Sequence, residues 1–213
     1  MMPLSLGTTR RAPALFMLVL TLAAVACRDK AASPTPTRPA GPVPDSFRVA
    51  FETTRGRFVL DVHRRLAPLG VERLYELVTA GALDDNAFFR VVPGFIIQFG
   101  APGDPKVNAY WDAKRIADDP PSAKNQRGTI SFATDGPSSR TSQLFINLSD
   151  NAYLDNTGFV PVGRIVEGMS VVDSIYSAYR EQPRYHLIAT LGNSYLHRMF
   201  PKLDYITTAR IIP

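Results

Sequence analysis

Phe88-Phe89-Arg90-Val91-Val92-Pro93-Gly94-Phe95-Ile96-Ile97-Gln98 decides how this chain folds. Two apolar runs, 88–92 and 95–99, flank Pro93-Gly94, a dipeptide that punctuates turns. Runs this short and this rich in Val, Ile and Phe read as strands. A charge, Arg90, stands among the apolar residues, where it is costly unless the guanidinium reaches solvent or a partner.

Working outward, residues 47–53 (Phe-Arg-Val-Ala-Phe-Glu-Thr) alternate apolar and polar, and 57–62 resume as a strand after the Thr54-Arg55-Gly56 turn, which makes a hairpin. Ala67-Pro68 opens a helix, because a proline at the first helical position forfeits an N–H that has no partner there anyway. Val71, Leu74, Tyr75 and Val78 recur on one helical face, and Gly81 ends it. Downstream, 129–133, 143–148, 162–166 and 203–212 read as strands. Met169, Val172, Ile175 and Tyr176 suggest a second helix, and Leu196, Met199 and Phe200 a short third one stopped by Pro201. Many short strands with separated helices argue for an antiparallel β-barrel whose ends are covered by helices.

Composition narrows the function. The chain has 213 residues, 45% hydrophobic and 20% charged, which excludes collagenous, coiled-coil and wholly disordered classes. A single cysteine, Cys27, excludes an internal disulfide framework and a cysteine-based metal cluster. His63, His186 and His197 are widely spaced without a ligand pattern, so no metal site is expected. Net charge is +5 with Lys and Arg scattered, which gives no nucleic-acid footprint.

The N-terminus reads as a targeting segment. Residues 1–27 hold no Asp or Glu; Arg10-Arg11 form a positive region, 12–26 an apolar stretch too short to span a bilayer, and Ala24-Val25-Ala26 a small-residue cleavage site. Two readings are open: an ordinary secretory signal cut after Ala26, or a lipoprotein signal in which Cys27 is lipidated and becomes the mature N-terminus. The position of the chain's one cysteine favours the second; Ala24, where lipoprotein signals usually carry Leu, speaks against it. Residues 27–46, rich in Pro, Ala, Ser and Thr, cannot bury a core and read as an extended tether. The expected organisation is therefore 1–26 signal, 27–46 tether and 47–213 folded domain, exported and anchored on the outer side of the cytoplasmic membrane, or else free in the envelope or secreted.

The stretch 88–98 closely resembles the signature of the cyclophilin-type peptidyl-prolyl isomerases. A second block is similar to the same family: Gly128-Thr129-Ile130-Ser131-Phe132-Ala133, then Gly136-Pro137, then Thr141-Ser142-Gln143-Leu144-Phe145-Ile146. A third runs from Tyr153-Leu154-Asp155 into Val162-Gly163-Arg164-Ile165-Val166-Glu167-Gly168-Met169. The resemblance implies a mainly β fold with two or three helices, a closed eight-stranded antiparallel barrel capped by helices. It implies catalysis of X–Pro rotation with no cofactor, proline-containing polypeptides as partners, and a monomer.

That chemistry suits the residues. Rotation about X–Pro must break amide resonance, a barrier of roughly 18–20 kcal/mol. As resonance is lost the prolyl nitrogen regains a lone pair, to which a guanidinium can donate; the donor matters more in the twisted state than in the planar one, so it catalyses as well as binds. By resemblance Arg90 is that donor. Phe95, Ile96, Phe145 and Leu154 form the pocket for the proline ring, Gln98 orients Arg90, Gln143 lines the groove, and the backbone at Ala133 and Thr134 takes the peptide as an added strand. Without the resemblance, Phe95, Phe145 and Leu154 read as plain core, Arg90 as a surface residue of an edge strand, and Gln98 and Gln143 as buried hydrogen-bonders.

Three positions depart from the family's usual pattern. Phe89 stands where His is common, Tyr153 where many members have Trp, and Phe159, in a segment one residue longer, where the groove usually has His. These changes are expected to make the pocket more apolar. Segment 177–204 is longer than the family's usual connection and is expected to pack against the barrel. Two other functions compete: a catalytically weak peptide-binding chaperone or scaffold module, and a small-ligand β-barrel carrier. Arg90, Gln98 and Phe145 together favour the isomerase, since a pure binder has no need of the guanidinium.

Overall fold

β1 (Ser46–Thr53) and β2 (Gly56–His63) form the hairpin that the alternation predicts, with Phe51 opposite Phe58. Phe47, Val49 and Phe51 point inward, Arg48 and Glu52 outward, and the Phe51 and Phe58 rings stack with centroids 4.7 Å apart. These strands belong to a computed structural model that describes residues 41–213. The signal segment 1–26, Cys27 and most of the proposed tether lie outside the described residues.

The remaining strands are β3 (Asn86–Ala87), β4 (Arg90–Val92), β5 (Ile96–Phe99), β6 (Thr129–Phe132), β7 (Leu144–Asn147), β8 (Pro161–Glu167) and β9 (Tyr205–Ile212). All pair antiparallel in one sheet ordered β3-β9-β1-β2-β8-β6-β7-β5-β4. The two ends of that order, β3 and β4, are joined in the chain by Phe88-Phe89 alone, so the sheet must curl until its edges meet. The mainly β, antiparallel, helix-capped fold is as expected. In detail the described residues carry nine strands rather than eight, and the ladder is not closed by hydrogen bonds between β3 and β4. At that seam Phe88 N–H donates to the Asp204 carbonyl at 3.0 Å and Val91 N–H to the Arg180 carbonyl at 3.1 Å.

The described residues form five α-helices rather than two or three: α1 (Pro68–Thr79), α2 (Pro105–Asp112), α3 (Met169–Asp173), α4 (Tyr185–Leu191) and α5 (Asn193–Met199). α1 begins at Pro68 and ends before Gly81, which adopts φ 65°. Its N-terminus is capped from a distance: the Asp119 carboxylate accepts the Leu69 and Gly70 N–H groups at 2.9 and 2.8 Å. Asp119 also pairs with Arg140 at 3.0 Å, and both side chains are fully buried. α2 has no apolar stripe to announce it, burying only Asn108 and Trp111, and starts at an Asp104 cap followed by Pro105.

The main core fills the curl of the sheet under α1. A second apolar cluster joins Phe89 to Ile188, Tyr195, Leu196, Phe200 and Leu203, so segment 177–204 packs on the barrel as expected. Tyr185 fastens α4 to α2 by donating its hydroxyl to Asp112; burial, then that carboxylate, push the phenol above the usual tyrosine range.

Candidate active site

Strand register builds the site. Directly opposed residues in antiparallel strands share a face, and one row across β4, β5, β7 and β6 reads Arg90, Gln98, Phe145, Ser131. The neighbouring row, Val91, Ile97, Ile146 and Ile130, joins the main core on the inner face. Period-two alternation therefore sends Arg90, Gln98 and Phe145 outward, with no irregularity in the β4–β5, β5–β7 and β6–β7 ladders.

On that outer face Ile96, Phe145 and Leu154 make a small apolar cluster of their own, with Phe95, Ala133 and Phe159 packed against it. Together they line a groove of about 260 Å³ whose walls also include Arg90, Gln98, Thr134 and Gln143. Phe159 meets Phe145 edge-to-face at 5.5 Å. The polar side is a chain of contacts: Arg90 Nη1 donates to Gln98 Oε1 at 3.3 Å, and Gln98 Nε2 donates to Gln143 Oε1 at 2.9 Å. The Arg90 guanidinium carbon sits 5.9 Å from the Phe95 ring centre. A donor thus stands at the edge of an apolar slot, its side chain 31% exposed and open to a ligand.

Two positions differ from the expectation. Phe89 does not enter the groove; it is buried in the second cluster, its ring 6.4 Å from Tyr185. Its neighbour Arg90 faces the groove, and adjacent strand residues point to opposite sides, so Phe89 adapts the barrel to segment 177–204 and leaves the pocket unchanged. Of the three departures, Phe159 alone adds apolar wall to the groove. Tyr153 is 64% exposed and stands at the rim, tilted against Phe95 with ring centres 5.9 Å apart. Sequence reading missed Asp135, Ser139 and Thr141, which also line the groove. It missed Glu181 too, whose Oε1 accepts from Arg90 Nε at 2.7 Å. Thr141 stands inside the second block of resemblance, but no local pattern marks Asp135, Ser139 or Glu181, which come to the groove or to Arg90 only on folding.

A buried polar network backs the pocket. Asn125 donates through its backbone N–H to Asp155 Oδ1 at 2.7 Å and through Nδ2 to the Phe159 carbonyl at 2.8 Å. Asn151 Nδ2 donates to the Phe95 carbonyl at 3.1 Å and to Asn147 Oδ1 at 2.7 Å. Both aromatic walls are therefore tied to one scaffold. The Asn125 N–H is the main cause that holds the Asp155 carboxyl below its usual range, with burial opposing. Among the described residues no group of three or more His, Cys, Asp or Glu could hold a metal ion.

The comparisons with known proteins converge on this geometry. The family model for cyclophilin type peptidyl-prolyl cis-trans isomerases matches residues 48–191. Peptidyl-prolyl cis-trans isomerase A of Dickeya dadantii is 35% identical over 155 residues, covering 67% of this chain and 78% of that protein. Peptidyl-prolyl cis-trans isomerase B of Escherichia coli is 33% identical over 168 residues, covering 74% and 94%. A Cryptosporidium parvum cyclophilin type isomerase superposes with a TM-score of 0.60 at 20% identity, covering 79% of this chain and 98% of its own; it has also been solved in the presence of the dipeptide Ala-Pro. The chain belongs to the cyclophilin-type peptidyl-prolyl cis-trans isomerases. It is an enzyme that rotates X–Pro peptide bonds.

Proposed function

We propose that Arg90 is the catalytic residue and that the groove formed by Phe95, Ile96, Phe145, Leu154 and Phe159 holds the proline ring. The observation that carries this reading is the adjacency of a partly exposed guanidinium and an apolar slot on one sheet face. The slot desolvates the prolyl side of the imide, and Arg90 donates to the nitrogen as its lone pair appears. Gln98, bonded to both Arg90 and Gln143, keeps the donor's plane oriented. Ala133 N–H is taken by the Gln143 carbonyl at 2.9 Å, so strand addition by the peptide uses the Ala133 carbonyl and the backbone of Thr134. The Ala-Pro dipeptide used with the Cryptosporidium relative supports proline-containing peptides as the ligand class.

The clients in this reading are exported polypeptides that fold in the cell envelope. The uncharged 12–26 stretch, its small-residue boundary and Cys27 support export and a lipid anchor, with 27–46 as spacer and the enzyme acting as a monomer. Isomerisation of a short Ala-Pro peptide by the wild type and by Arg90→Ala tests the catalytic assignment. Full activity in the variant would remove it.

A further inference from the structure

Segment 177–204 meets Arg90 of the catalytic groove through Glu181. Its first turn lies along the edge of β4, where Val91 N–H donates to the Arg180 carbonyl at 3.1 Å. The turn is closed internally by Arg180 N–H on the Ser177 carbonyl and Gln182 N–H on the Tyr179 carbonyl, at 3.0 and 2.9 Å. Tyr179 pins it edge-on between Tyr176 and Phe200, with ring centres 5.0 and 5.1 Å away. Arg180 is held at φ 48°, a left-handed conformation that a non-glycine residue adopts only where its surroundings enforce it. The next residue, Glu181, is thereby delivered to Arg90.

The contact occupies a defined edge of the guanidinium. Glu181 Oε1 accepts from Nε at 2.7 Å and lies 2.5 Å from Nη2, while Nη1 donates to Gln98 Oε1 at 3.3 Å. Of the five N–H donors of an arginine, these contacts engage those of Nε, Nη2 and Nη1 and leave one on each terminal nitrogen. The planar group is clamped from two sides, by residues 91 positions apart and 8 positions apart in the chain. Glu181 is 59% exposed, so water screens its charge and the contact acts mainly through geometry.

We propose that Glu181 is a positioning residue for the isomerase reaction, fixing the Arg90 side chain so that a terminal N–H meets the prolyl nitrogen in the twisted state. The proposal rests on the reading of Arg90 as the catalytic donor. Preorganising a donor acts on turnover more than on ground-state binding.

A double-mutant cycle in the full chain, with a short Ala-Pro peptide as substrate, tests it. Glu181→Ala should lower kcat roughly five-fold, about 1 kcal/mol, with KM nearly constant. Glu181→Gln, which keeps an acceptor oxygen, should recover most of that loss. Proton exchange at Arg90 Nε, followed by nitrogen-15 NMR, should quicken in Glu181→Ala. On an Arg90→Ala background, Glu181→Ala should cause no further loss. An unchanged or raised kcat in Glu181→Ala overturns the proposal, as does an equal loss with and without Arg90. If Arg90→Ala itself retains full activity, the catalytic assignment has failed and takes the positioning role with it. A failure confined to Glu181 leaves Arg90 → Ala inactive, so the two cases are distinct.

Discussion

Arg90 carries the largest expected effect at the scale of single residues. Its donor meets the imide nitrogen chiefly when resonance is lost, so Arg90→Ala should reduce turnover by roughly 10²–10³-fold, the scale for one preorganised donor to developing charge. Peptide affinity measured by titration should fall far less. Arg90→Lys should restore only part of the rate, since an ammonium lacks the planar fork that Gln98 engages. No histidine lines the groove, so the rate constant should stay nearly flat between about pH 6 and 8. Phe145 is 3% exposed and belongs to the outer cluster rather than the main core. Phe145→Ala should cost about 3–5 kcal/mol of stability and weaken substrate binding. Circular dichroism separates the two effects, and unchanged turnover in a folded variant would refute the pocket assignment.

Two contacts between elements decide how firmly the scaffold holds the site. Asp119 caps α1 and neutralises Arg140, with both side chains out of reach of water. Asp119→Ala leaves a buried guanidinium with a weaker partner, Asp118 at 3.6 Å, and should cost about 3–5 kcal/mol in chemical denaturation. Between α4 and α5, Gly192 adopts φ 58°, and a Cβ there would lie 2.0 Å from the Gly103 carbonyl oxygen, a clash. Gly192→Ala should therefore loosen α4 and α5, costing roughly 2 kcal/mol or more and lowering Tm. Because the turn that presents Glu181 packs on Phe200, that variant should also lose some turnover.

For the whole molecule, stability should fall on the acid side partly through Asp155. Its carboxyl is held below the ordinary value of 3.8 in the folded protein, chiefly by the Asn125 N–H. A folded-state value below the unfolded one contributes stability above about pH 4 and loses it as pH falls through the folded value. Asp155→Asn should therefore be less stable than wild type near neutrality, and the gap should narrow below about pH 4. An equal gap at all pH values would show that shape, not charge, links Asp155 to Asn125. Should Cys27 carry lipid, the mature protein partitions with membranes and Cys27→Ser blocks processing or releases a soluble exported form; mass spectrometry of an unmodified wild-type N-terminus would refute the anchor.

The sequence by itself determined the hairpin and the start of α1. These follow from period-two alternation and turn residues, which are local properties of the chain. Its resemblance to one family was enough to name the enzyme class and most of the groove. Only the tertiary structure decided where Phe89 goes, since alternation shows that it faces away from Arg90 but not what it will meet. It alone supplied β3, two residues long and visible only through its pairing with β9, and α2, whose buried side chains form no stripe. It alone joined Asp119 to Arg140 and Glu181 to Arg90. A charge in sequence reads as a solvated side chain. Its partner is chosen when distant segments are packed together, and that choice depends on the closing of the barrel rather than on any residue's neighbours in the chain.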